Sequence, residues 1–184
     1  MNIAPLGREA TVEDLYQAEG KAELVNGELV LMSPSGDEPG AAALNIATSL
    51  NLYARQHPNG RAYGDNVGFI VRRTAGRSFS PDAAWYTGPR ARGKYLPEAP
   101  VFAVEVRSEG DYGPAAERKM AAKRADYFAA GTQVVWDVDV LREEVVRVYR
   151  ADNPDHPTVF RRGETADAEP AVPGWTIPVD ELWL

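Results

Sequence analysis

The stretch "SPDAAWY" at 80–86 sets Asp82 directly after Pro81, at the start of a strand-like run. The stretch "APVFAVEVRSEG" at 99–110 sets Glu105 inside an apolar run from Val101 to Val106. A carboxylate withdrawn from water is costly unless it is paired, hydrogen-bonded or bound to a metal. Side chains alternate along a strand, so Glu105 and Arg107 point one way and Val104 and Val106 the other. If the two strands are neighbours, Asp82 and Glu105 converge at one edge of a sheet. Two carboxylates that close repel unless a cation joins them or one takes a proton. Hard oxygen ligands without His or Cys select Mg2+, Mn2+ or Ca2+ over zinc. The next helix carries Lys119, Lys123 and Arg124, cations that could work beside such a pair. Each residue also has a plainer reading. Asp82 could cap a turn after Pro81, Glu105 could pair with Arg107 or a helix cation, and Lys123 could be a solvated helix lysine.

Elements must exist to position these groups. Thr11 is a natural N-cap with Asp14 at the third helical position, which predicts a short helix to about Ala18. In "ELVNGELVLM", Asn26-Gly27 between apolar-rich runs predicts a two-residue hairpin. It pairs Val25 with Glu28, Leu24 with Leu29 and Glu23 with Val30. Leu24, Leu29 and Leu31 then share the core face, while Glu23 and Glu28 share the other. "SPSGDEPG" reads as a loop before a helix over 41–57, with Leu44, Ala47, Leu50 or Asn51, and Ala54 at helical spacing. Strands are expected at 61–65, 67–73, 81–86 and 100–107. "RTAGRSFS" reads as a turn-rich link and 87–98 as a polar, basic loop. A helix starts near Pro114 and stops at Gly131. On its wheel Ala116, Met120, Ala121, Tyr127 and Phe128 form the apolar side. Lys123 lies at its margin, Arg124 nearer its middle and Lys119 beyond. "TQVVWDVDV", "EEVVRVYR" and "TVFRR" read as strands, "ADNPDHP" as a turn, and "AVPGWTIPVDELWL" as a terminal apolar segment. This order is that of a single α/β domain, bordering on α+β. Residues 1–10 are expected to be a flexible tail and 11–184 the domain.

Composition narrows the classes. The 184-residue chain is 44% hydrophobic and 26% charged, as in a water-soluble globular protein. No apolar run approaches the roughly 20 residues needed to span a bilayer. No basic-then-apolar leader opens the chain. With no cysteine there is no disulfide framework, thiolate nucleophile or cysteine zinc site. A reducing cytoplasm is the expected location. A net charge of −7 argues against coating nucleic acid through bulk electrostatics but allows a local basic groove. Arg72, Arg73, Arg77, Arg90, Arg92 and Lys94 flank the Asp82 strand in sequence, as ordinary surface charge or as a phosphate-gripping rim. His57 and His156 stand far apart beside turn residues, so neither a histidine triad nor a histidine metal cluster is expected.

"PD" followed by "VEVRS" resembles the PD-(D/E)xK nuclease superfamily. "ELVNGELVLMSPSG" before it and "KRADYFAAGTQVVWDVD" after it extend the resemblance, in that order, to the bacterial Uma-type restriction endonuclease family. The resemblance implies a central mixed sheet flanked by helices, a restriction-endonuclease-like fold. It also implies a divalent metal, Mg2+ or Mn2+, held by Asp82, Glu105 and the carbonyl of Val106. It puts Glu23 near the site. The helix block "KxxxYxxxG" maps the working lysine to Lys123, four residues before Tyr127. Position 107, where a plain ExK motif has lysine, is Arg107, which stays protonated and could bind phosphate but cannot act as a base. The histidine common in the family after the "MSP" block is absent from "GDEPGAAAL". The implied activity is hydrolysis of DNA phosphodiester bonds, with RNA as an alternative substrate. A homodimer is expected because cutting both strands needs two sites. The competing readings are an inactive nuclease-like module that binds nucleic acid or protein, and a structural domain whose tryptophan-bearing C-terminus buries itself in a partner.

Overall fold

The computed structural model describes residues 2–3, 7–71 and 77–183; Arg72 and Arg73 of the expected basic rim lie outside them. Helix α1 (Val12–Gln17) opens with a capping box. Thr11 Oγ1 accepts from Asp14 N, and the Asp14 carboxylate accepts from Thr11 N at 2.7 Å. Strand β1 (Asn2–Ile3) pairs with β3 (Glu28–Leu31), which pairs with β2 (Ala22–Val25). The β2–β3 register is the expected one, because Asn26 and Gly27 both adopt the positive φ of a two-residue hairpin turn. Within the segment read as a flexible tail, Asn2–Ile3 lie in this sheet and Ala10 N donates to Gly27 O.

Helix α2 spans Asp37–Ala54 and so begins inside the stretch read as a loop. Its buried side is Pro39, Ala42, Ala43, Ile46 and Leu50, while Leu44 is 66% exposed. The apolar spacing therefore runs through alanines rather than through Leu44. Small side chains let the helix lie close to the sheet. After α2 come β4 (Arg61–Gly64), β5 (Phe69–Val71), β6 (Arg77–Phe79), β7 (Ala83–Tyr86) and β8 (Phe102–Val106). The expected link at 77–79 is thus a strand, paired with β5. Helix α3 (Pro114–Ala129) is followed by β9 (Val134–Asp139), β10 (Val145–Arg150) and β11 (Asn153–Arg161). Two short strands, β12 (Thr165–Asp167) and β13 (Thr176–Pro178), and a 3-10 turn over Val179–Trp183 complete the chain.

The central sheet has six strands in the order β11-β10-β9-β8-β7-β4. Only β8 and β9 run parallel, and α3 makes the crossover that a parallel pair requires. The expected "ADNPDHP" turn is largely the first half of β11. Pro154 and Pro157 are tolerated there because β11 is an edge strand with one unpaired side.

Alternation along the strands divides the domain into two layers. Trp85, Phe102, Val104, Val106, Trp136 and Val138 face α2 and the C-terminal segment. Trp136 packs edge-on to Phe102 and tilted against Trp175. Trp175, Ile177, Val179 and Leu182 are all buried in this layer, so the C-terminal segment covers the domain's own core. Ala84, Tyr86, Ala103 and Val135 face the other way, toward Tyr127 of α3. Glu105 shares that second face.

The α2 assignment is testable by urea unfolding. Ile46→Ala is expected to cost about 2–5 kcal/mol. Leu44→Ala is expected to change stability by no more than about 0.5 kcal/mol.

Candidate active site

Strands β7 and β8 are antiparallel neighbours, with Ala83 opposite Val104. Asp82, one residue before β7, extends the ladder by donating its N–H to Val104 O at 2.9 Å. Its Oδ2 accepts from Val106 N at 2.8 Å. The aspartate is thus tied to the backbone of the residue beside Glu105. Helix α3 supplies the partners of Glu105. Lys123 Nζ lies 2.8 Å from Oε2, and the Tyr127 hydroxyl donates to Oε1 at 2.7 Å. Lys123 and Tyr127 are one helical turn apart, so both reach the same carboxylate. Tyr127 is fully buried and stacked on Phe79 with ring centroids 4.0 Å apart, which fixes its hydroxyl.

Glu23 comes from β2. It is 3% exposed, not on a wet face with Glu28, and the reason is its bonding. Its Oε1 accepts from Ser80 N at 2.7 Å and lies 3.0 Å from Lys123 Nζ. One ammonium therefore joins the hairpin to the central strand. Lys21, two residues before Glu23 on the same side of the chain, contacts Asp82 Oδ1 at 3.0 Å and Asp65 Oδ1 at 2.5 Å. Sequence reading missed Lys21; its alternation with Glu23 was the available signal.

Burial pushes the Glu105 carboxyl up to about 7. Lys123 opposes the rise, and the nearby Asp82 and Glu23 carboxylates add to it. Burial acts to lower the Lys123 ammonium, but Glu105 and Glu23 outweigh it and raise its pKa. Lys21 follows the same pattern, raised by Asp82, Asp65 and Glu105 against its own desolvation. Lys21, Asp82, Glu105 and Lys123 border a cleft of about 500 Å3 that continues past Ser33–Ser35 to Lys119. Glu23 sits behind Lys123, outside the cleft lining.

Arg107, on the same strand face as Glu105, is 4% exposed. Its guanidinium donates to both oxygens of Asp137, at 2.6 and 2.7 Å, and to both oxygens of Glu117. Arg124 explains its place near the middle of the apolar side: it lies 4.0 Å over the Tyr149 ring and 3.7 Å from Asp137. Of the expected basic rim, Arg77 is paired with Asp126 at 2.7 Å, while Arg90, Arg92 and Lys94 are exposed on a loop outside the cleft lining. Among the described residues, the cations that line the cleft are Lys21, Arg107, Lys119, Lys123 and Arg124. His57 stacks on Tyr53 and His156 is exposed; neither reaches the cleft lining.

Among the described residues, no three His, Asp or Glu side chains are grouped closely enough to hold a metal by themselves. The set expected from the sequence is smaller, two carboxylates and a main-chain carbonyl. The donors at the cleft are all oxygen, which suits Mg2+ or Mn2+. Asp82 and Glu105 both line the cleft beside Val106, so the donor chemistry fits such an ion.

A six-stranded mixed sheet with α3 crossing between its parallel pair, and acids gathered at the end of β8, define a restriction-endonuclease-like fold. Residues 10–180 match the family model described as "Uma2: Putative restriction endonuclease", and the chain belongs to that family. The crystal structure of a "putative nuclease belonging to DUF820" from Anabaena variabilis superposes with a TM-score of 0.73. The two share 17% sequence identity, with 95% of this chain and 97% of that one covered. No curated protein matches the chain. No helix among the described residues is long and apolar enough to cross a membrane.

Two outcomes are expected from this geometry. Arg107→Ala leaves Asp137, 1% exposed, without its main counter-charge, and is expected to cost about 3–5 kcal/mol in urea unfolding. Glu105 titrates higher in the folded chain than in the unfolded one, whose carboxyl ionises near 4.5. Its contribution is present below the unfolded value and is lost as pH rises through about 7. The stability of the native chain relative to Glu105→Gln is therefore expected to fall from about pH 5 to pH 8, measured by denaturant titration across that range.

Proposed function

We propose that this chain is a divalent-metal-dependent endonuclease that hydrolyses phosphodiester bonds in DNA. In this reading Asp82, Glu105 and the main-chain carbonyl of Val106 hold Mg2+ or Mn2+. The observation that carries it is the meeting of Asp82, Glu105 and Lys123 on one open cleft at the end of β8. When bound, the metal supplies a Lewis acid that polarises the scissile phosphate. The chain's own residues do the rest. Lys123 orients the attacking water or offsets the charge that develops on the phosphate. Glu23, itself fixed by Ser80 N, keeps that ammonium over the cleft. Tyr127 holds Glu105 by one oxygen, so its carboxylate keeps a fixed direction. Two copies of the chain would bring two such sites to a duplex.

A second reading, a nuclease-like module that binds without cutting, is favoured by Arg107. The cation at the position of a plain ExK lysine has its N–H groups engaged by Asp137 and Glu117.

Incubation with supercoiled plasmid and with RNA, in Mg2+ or Mn2+, separates the two. Nicking of the plasmid is expected, abolished by EDTA and by Asp82→Ala, and slowed about a hundredfold or more by Lys123→Met. Salt-dependent binding without cleavage would move the assignment to the module. Absence of both cleavage and Mn2+ binding by calorimetry would overturn the metal-dependent reading.

A further inference from the structure

We infer that Lys21 is the built-in counter-cation of Asp82, and that a divalent cation reaches this aspartate by exchange with the Lys21 ammonium. The inference rests on the metal-dependent reading above and deepens it. Asp82 has two oxygens, and Oδ2 is already committed to Val106 N. Oδ1 is the one that faces a cation, and Lys21 Nζ lies 3.0 Å from it. The two lysines divide the carboxylates between them. Lys123 contacts Glu105 and Glu23, while Lys21 contacts Asp82 and Asp65.

The exchange has a physical basis on both sides. The Lys21 and Asp82 side chains are only 15% and 13% exposed, so Asp82 without a counter-charge would carry a heavy desolvation cost. A divalent ion can repay that cost, because it brings more charge than the ammonium it replaces. Lys21 has somewhere else to stay. Asp65 is far more exposed, and its Oδ1 also accepts from Asn66 N at 2.7 Å, which holds the carboxylate in place whether or not Lys21 leans on Asp82. Lys21 also borders the cleft, so the swap needs no opening of the core. The metal-free protein thereby keeps its acids neutralised while a ligand position stays within reach.

The test is Mn2+ titration by calorimetry into the full chain, with melting temperatures taken with and without Mn2+. Lys21→Met is expected to bind Mn2+ about tenfold more tightly or better. It should melt lower than the native chain without metal and gain a larger upward shift when Mn2+ is added. Lys21→Arg, which keeps the charge and can grip Asp82 with a fork, is expected to bind Mn2+ more weakly. Lys119→Met removes the same charge from the cleft rim and is expected to leave the affinity unchanged. Native affinity in Lys21→Met, or an equal gain in Lys119→Met, overturns the inference. If Lys21→Met does not fold, unchanged or tighter binding in Lys21→Arg overturns it. Should the native chain bind Mn2+ and Asp82→Ala not, with Lys21→Met unchanged, the exchange alone fails. Should neither the native chain nor Lys21→Met bind Mn2+, the metal-dependent reading fails and the exchange with it.

Discussion

A single ammonium, that of Lys123, lies between a buried carboxylate and a half-buried one that come from distant parts of the chain. Glu23 arrives on the N-terminal hairpin and Glu105 on the central strand. Neither could be taken out of water beside the other without a shared cation. The hairpin's seat against the domain depends on this contact and on two neighbours of it. Ser80 N donates to Glu23, and Ser78 Oγ accepts from Leu24 N. Chain segments far apart in sequence thus meet where the charges are concentrated, and the cleft exists because they meet there.

The sheet order explains why this happens at one end of one face. Strands β8 and β9 run parallel, so α3 must cross between them, and it lies over the face that carries Glu105 and Asp137. Ligand sites in such sheets gather beyond the carboxyl ends of the strands, where crossover loops leave a crevice. Here Glu105 opposes Asp137 in register, giving two acids side by side under one helix. They are kept apart in chemistry by different cations. Lys123 serves Glu105, while Arg107 and Arg124 serve Asp137, and all of them line the one cleft. The second group is a rigid brace that fixes the strand end from which Glu105 projects.

Local signals were legible wherever a few adjacent residues decide the outcome. Thr11 with Asp14, Asn26-Gly27, and Pro114 with Gly131 each marked a boundary that the fold keeps. Asp82 and Glu105 were legible as a pair because polar residues in strand-like apolar runs need an explanation. What failed was long-range. The packed side of α2 runs through alanines, whose value comes from how near the sheet lies, and Leu44 misled because leucine is apolar without being buried. The first half of the strand 153–161 was hidden by its prolines, which only an edge position permits, while its second half was legible in "TVFRR". Lys21 was hidden because its partners, Asp65 and Asp82, lie far along the chain. The burial of Glu23 had no local sign, since Glu28 on the same hairpin stays exposed.

The two layers also differ in how they can be watched. Trp85, Trp136 and Trp175 all lie in the apolar layer with α2, and the aromatic residues in the core of the layer that holds the charged cleft are tyrosines and phenylalanines. Indole emission from this chain therefore reports the packing of one side of the sheet and the docking of the C-terminal segment upon it. Events around Glu105 take place behind that sheet, in a compartment where the tyrosines are the native chromophores.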